Sequence, residues 1–160
     1  MKAVSVVTIK KELQHQSKEE LIALCLRLSR FKKENKELLT YLLFESEHEE
    51  GYIQSVKTYM DDEFEIINRD SYFYIRKSVR KILRNVKKYV RYSQKKETEA
   101  ELLIYFCQIL KDYSPSITRS TQLLNMYNRQ LLLAKKIISG LHEDLQYDYN
   151  EMLEDLPHTY

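Results

Sequence analysis

The sequence predicts an all-α fold, and three observations predict it. Glycine and proline together number only four in 160 residues, and strand-rich or α/β folds need many more turn residues. Apolar residues recur at helical rather than alternating spacing along nearly the whole chain. One segment, 97–113, is apolar around most of its circumference, which only a helix enclosed by other helices tolerates. Apolar residues make up 43% and charged residues 31%, which fits a soluble globular protein. The length suits one domain, residues 1–160, with a real core.

The elements follow in order. A short first helix is expected from about Ile9 to His15, with Thr8 as its cap. Ser17-Lys18-Glu19-Glu20 is a capping-box pattern, and Leu21, Leu24, Cys25, Leu28 and Phe31 follow it as an inward face. The polar run 32–36 reads as a break before a third helix carrying Leu38, Leu39, Leu42 and Leu43. Past a boundary near Gly51, Tyr52, Val56, Tyr59, Met60, Phe64 and Ile67 form one helical face. Residues 68–71 supply candidate caps for the next helix. Its apolar side is Ile75, Val79, Ile82, Leu83, Val86 and Val90.

Segment 97–113 is the expected central helix, ended by Tyr113-Ser114-Pro115 because proline disfavours helix at the residue before it. The next helix spans about 118–139, with Leu123, Leu124, Tyr127, Leu131, Ala134 and Ile138 inward and Gly140 as cap. The last carries Leu141, Leu145, Tyr149, Met152 and Leu156 and stops at Pro157. That makes seven to eight short-to-medium helices, in an antiparallel bundle or a short stack of helical hairpins. No 33–47-residue repeat marks a named solenoid.

Charge is distributed very unevenly. Residues 69–96 hold eleven bases against one acid, a net +10, and the remainder holds 15 bases against 23 acids, a net −8. On the basic helix, Arg76, Lys77, Arg80, Arg84, Lys87, Lys88 and Arg91 lie opposite the apolar side and form the candidate binding surface. Three readings apply to such a strip. It faces the acids of segment 45–65 and of the last helix, it binds nucleic acid with Tyr72, Phe73, Tyr74, Tyr89 and Tyr92 as stacking platforms, or it lies on a membrane surface. The third is disfavoured because the core needs the apolar side of this helix.

Other chemistry is mostly missing. Two isolated glycines cannot build a phosphate-cradling loop. Cys25 and Cys107 stand alone, so paired zinc ligands are lacking, and both are expected as free, buried thiols. Glu12/His15 and Glu45/His48 are Glu-x-x-His pairs, but their polar surroundings near predicted helix ends favour surface residues over a metal site. No cofactor is expected. The N-terminus lacks the pattern of a secretory leader and no apolar run reaches 18 residues, so a cytoplasmic protein with no membrane span is expected. Thirteen tyrosines with no tryptophan suit either interfaces or a core-to-solvent boundary.

Lys10-Lys11-Glu12-Leu13 leading into Ser17-Lys18-Glu19-Glu20-Leu21-Ile22 resembles the start of an uncharacterised family of small helical proteins from Bacteroidota-type bacteria. Segments 31–39 and 97–103 resemble its later parts. The resemblance implies an all-helical fold and carries no activity. The N-terminal layout is also similar to helix-turn-helix DNA-binding modules of the SAP type, without the glycine usual in their turn between His15 and Ser17. The expected role is therefore that of a non-enzymatic protein–protein interaction or scaffold module, bacterial and of unspecified oligomeric state. The alternative is a nucleic-acid-binding protein using the basic helix 69–96.

Overall fold

The computed structural model describes residues 1–157. Among them it contains eight α-helices and no strand: α1 (Val6–Leu13), α2 (Lys18–Phe31), α3 (Lys33–Thr40), α4 (Glu49–Glu65), α5 (Tyr72–Ser93), α6 (Lys96–Lys111), α7 (Thr121–Ile138) and α8 (Glu143–Glu154). A π turn (Tyr41–Glu45) follows α3, and a 3₁₀ turn (Ile117–Arg119) precedes α7. Where the sequence is read as one domain, the chain folds as two compact units, Met1–Phe44 and Glu45–Tyr160.

The first unit contains the α2–α3 hairpin. The capping box of α2 forms as expected: the Ser17 hydroxyl accepts from the Glu20 amide at 3.2 Å, and the Ser17 amide donates to Glu20 Oε2 at 2.7 Å. The Ser17 amide first, and then the Ser17 hydroxyl, hold the Glu20 carboxyl below its ordinary pKa. The first helix starts earlier than expected, because Ser5 and not Thr8 is its cap, accepting from the Thr8 amide at 3.2 Å. The break before α3 shrinks to Lys32, which is extended, and the Asn35 amide group donates to the Leu28 carbonyl at 2.8 Å to close the corner.

The inward face expected for α2 is not inward. No residue of α1, α2 or α3 is buried, and Leu24, Leu28 and Phe31 are 40%, 59% and 77% exposed. Cys25 is a free thiol as expected but is exposed and not buried: it lines the open groove between α2 and α3 with Leu38 and Leu39, which does not enclose it.

The second unit has a conventional core, and α6 runs through it. α6 packs against α4, α5, α7 and α8. Ala100, Leu102, Leu103, Ile104, Phe106, Cys107 and Leu110 are at most 1% exposed. Consecutive positions 102, 103 and 104 point to different sides, so only enclosure on several sides buries all three. Each large apolar side chain buried this way contributes about 1.5–3 kcal/mol relative to exposure. All six apolar residues expected on the inner side of α5 are buried, as are all six of α7. On α4, Tyr52, Val56, Met60 and Phe64 are buried and Tyr59 only partly. On α8 the buried positions are Tyr149 and Leu153, with Leu156 just beyond the helix. The expected Leu145 and Met152 are half-buried.

Two helix ends differ from expectation. Gly140 lies one residue beyond Ser139, the C-cap of α7, and has no positive φ. The left-handed cap falls at Gln94 instead, φ 60°, at the end of α5, where its amide bonds the Val90 carbonyl at 2.9 Å. Glycine occupies this conformation without the Cβ clash. Gln94→Gly is expected to stabilise the fold by about 1 kcal/mol in denaturant unfolding.

Burial pushes the Cys107 thiol up to about 12. At pH 8 it therefore stays protonated as well as shielded, and a thiol reagent attacks the thiolate. Native protein should react at Cys25 alone, with Cys107 released only in denaturant, as read by mass spectrometry of the labelled chain. Rapid native labelling of Cys107 would contradict its enclosure.

Candidate nucleic-acid interface

Helix α5 presents two faces because its sequence alternates charge and hydrocarbon at the helical period. Its apolar side is sealed into the core. Of the seven candidate cations, Lys77, Arg80, Arg84 and Arg91 are exposed, and Arg76, Lys87 and Lys88 are half-buried along their stems. From Lys77 to Arg91 the strip runs about 21 Å along the helix axis.

Part of the strip closes around a feature. Arg76, Lys77, Arg80 and Arg84 line a surface hollow of about 340 Å³ together with Phe73 from the start of α5 and Gln122 from the start of α7. Four cations, an amide and a phenyl ring make its wall, with no carboxylate. Phe73 is 62% exposed, and its ring meets that of Tyr74 edge-on, centroids 5.5 Å apart. A second hollow, about 520 Å³, lies at the other end of α5 between Arg91, Lys95, Lys96, Gln94, Val90 and Glu99. Lys87 and Lys88 line neither hollow, and Lys88 Nζ sits 4.9 Å from the centre of the Tyr89 ring.

The acids of α4 neutralise other cations. Glu63 pairs with Lys81 at 3.1 Å, and Glu49 with Lys95 at 3.0 Å. Asp61 accepts the Tyr105 hydroxyl through both oxygens at 2.8 Å. Burial first, then that carboxylate, pushes the Tyr105 hydroxyl up to about 12. Among the described residues no carboxylate lies within ion-pairing distance of Arg76, Lys77, Arg80, Arg84, Lys87 or Arg91. The acidic α8 packs on α6 and α7. The expected internal pairing therefore holds for Lys81 and Lys95 but, among the described residues, for none of those six.

Phe73 is one of the aromatic residues expected to stack on bases, and the hollow places it with the cations; Gln122 was not expected there. Phe73 sits three and four residues before Arg76 and Lys77, so helical spacing alone places it on their side. Gln122 comes from another helix, and no local signal in the sequence links it to the strip.

The Glu-x-x-His pairs do not build a site. Glu12 lies near the end of α1 and His15 just past it, Glu45 closes the π turn, and His48 caps α4 with its ring laid against Gly51. Among the described residues no group of three or more His, Cys, Asp or Glu is placed to hold a metal ion. No described helix is long and apolar enough to cross a membrane.

The tyrosines mostly bridge core and solvent. Only Tyr74 and Tyr147 among the described ones are exposed. Tyr52 donates to the Tyr89 carbonyl at 2.9 Å, Tyr72 to the Ser116 carbonyl at 2.7 Å and Tyr127 to the Pro157 carbonyl at 2.9 Å. They tie elements together.

Compared with known proteins, the chain matches no family model, no curated protein and no solved structure.

The Glu49 carboxylate is the main polar joint behind the strip. It accepts from the Ser93 hydroxyl at the end of α5 and from the fully buried Thr98 of α6 at 2.5 Å, besides pairing with Lys95. Glu49→Ala leaves the Thr98 hydroxyl buried without that acceptor and should cost about 1–3 kcal/mol of stability. Lys81→Ala removes an exposed pair and should cost less than about 1 kcal/mol. Urea unfolding of both variants tests the ranking, and equal effects would refute it.

Proposed function

We propose that this chain is a non-enzymatic nucleic-acid-binding protein, and that the face of α5 bearing Arg76, Lys77, Arg80 and Arg84 holds the phosphate backbone of a single strand. The supporting observation is the carboxylate-free hollow that these four cations share with an exposed phenyl ring. Like charges at three- and four-residue spacing destabilise a helix, so a strip left without acids works against the fold unless an anion relieves it. Phosphates at successive positions of a strand do so and release their counterions. Phe73 offers a base the flat apolar surface on which single-stranded nucleic acid stacks irrespective of sequence. Gln122 adds a neutral donor and acceptor at the rim.

The protein–protein reading keeps one specific support, which lies outside α5. Fifteen of the twenty large apolar side chains left exposed among the described residues fall in the first 44. That surface suits a protein partner and is independent of the cationic strip.

Fluorescence anisotropy with labelled DNA and RNA 20-mers, single-stranded and duplex, over a salt series tests the proposal. The expected result is binding that weakens linearly in log–log form as salt rises, with single strands preferred. Arg80→Ala and Arg84→Ala should each reduce the steepness by about one ion released. Phe73→Ala should weaken single-strand binding by about 1–3 kcal/mol and leave duplex binding nearly unchanged. Absence of binding to any of the four at about 50 mM salt would sink the reading.

A further inference from the structure

The cations of α5 are not spread evenly along it. Arg76, Lys77, Arg80 and Arg84 converge on the hollow of about 340 Å³ and span about 12 Å of helix axis. Lys87 lies outside that hollow, and Arg91 belongs to the one at the far end of the helix. There the charge is partly cancelled: Lys96 pairs with Glu99 at 2.7 Å and Lys95 with Glu49 at 3.0 Å. Positive charge is therefore densest at one end of the strip, in one small space.

Size, charge and donor number together bound what fits there. A hollow of about 340 Å³ lies at the small end of ligand sites, which run about 300–1,000 Å³, and has room for one nucleotide unit and not for a length of strand. A phosphodiester inside a strand brings a single negative charge and two free oxygens. A terminal phosphomonoester brings about −1.5 to −2 charges at pH 7 and three strong acceptor oxygens. Three of the four cations are arginines, whose planar forks present paired donors to phosphate. Each oxygen offers about two acceptor sites, so three forks are filled by three oxygens and not by two. Four crowded cations are also relieved more by the doubly charged group.

The other walls favour the same ligand. Gln122 is the second residue of α7, so the first turn of an 18-residue helix reaches the hollow. The cap of that helix, Ser120, makes no side-chain capping bond, and its hydroxyl is 6% exposed with no hydrogen-bond partner. The positive end of α7 thus lacks the acceptor that a capping serine supplies, and negative charge in the hollow supports it. Phe73 fits a strand end as well. A base within a strand stacks on neighbours at both faces, whereas a terminal base has one face free for an exposed ring. From the hollow, Arg84, Lys87 and Arg91 follow one another at three- and four-residue spacing for about 10 Å, a path for the backbone of the next nucleotides. Resting on the reading of this face as a single-strand site, we infer that the hollow seats the end of the strand: Arg76, Lys77, Arg80 and Arg84 hold a terminal phosphomonoester, and Phe73 covers the terminal base.

The test is direct binding of the full chain to one single-stranded 20-mer, labelled at an internal base, that carries a 5′-phosphate, a 3′-phosphate or hydroxyls at both ends. One phosphorylated form should bind about tenfold or more tighter than the hydroxyl form, the effect of an added charge-assisted hydrogen bond, and the two arms show which end is seated. The preference should fade as pH falls from about 7.5 to about 5, because the monoester's second pKa is about 6 and the lining of the hollow holds no group that titrates in that range. Arg80→Ala combined with Arg84→Ala should erase the preference, whereas Lys87→Ala should weaken all three strands alike and keep it. Equal affinity for the three strands overturns the inference and leaves single-strand binding standing, as does a preference that survives Arg80→Ala/Arg84→Ala. A phosphorylated mononucleotide that competes as tightly as the strand itself binds also overturns it, because the hollow then belongs to a free nucleotide. Absence of binding to every strand removes the single-strand reading and the inference with it.

Discussion

The second unit depends on the enclosure of α6. An amphipathic helix needs one neighbour, and α6 needs several, because Leu102, Leu103 and Ile104 are buried in succession and cannot share a side. The identity of α4, α5, α7 and α8 as packed helices follows from that demand. Each spends its single apolar face on α6 or on a neighbour that touches it. The outer faces are left to charge. The strip on α5 is thus the residue of a packing solution: the side of a two-faced helix that the core does not consume, held rigid by the side that it does. A cationic surface mounted this way loses little backbone entropy when it meets a partner.

Polar joints fix how the helices meet around that core. Glu49 bonds to Ser93 and Thr98, so the start of α4, the end of α5 and the start of α6 share one carboxylate. Lys57 and Glu101 join α4 to α6 at 2.6 Å, and the same ammonium lies over the Tyr105 ring at 5.2 Å. These groups are mostly shielded, so their pairing costs more to break than that of exposed ions. They also dispose of the acids. Glu49, Glu63 and Asp61 are engaged with Lys95, Lys81 and Tyr105, which leaves them no role opposite Arg80 or Arg84.

How much the sequence discloses depends on what a pattern measures. Period and composition disclose the helices and, in α5 and α7, every apolar residue of the inner face. They disclose the cationic strip, because helical spacing is local. They miss Gln122, whose place beside Arg80 is created by tertiary packing. They also mislead for α2, and the reason is instructive. A stripe of Leu21, Leu24, Leu28 and Phe31 states that a face prefers to leave water, not which chain removes it. Read as core, the stripe implies one domain and a buried Cys25. The fold instead leaves the stripe and the thiol open.

The two open surfaces obey one rule. Hydrocarbon left in water and like charges left adjacent both work against the folded chain, and both are relieved by contact with something outside it. They differ in what relieves them. The apolar side of α2 is relieved by any surface that removes it from water. The strip on α5 cannot meet a copy of itself, because cation against cation repels in either direction, and an anion is what relieves it.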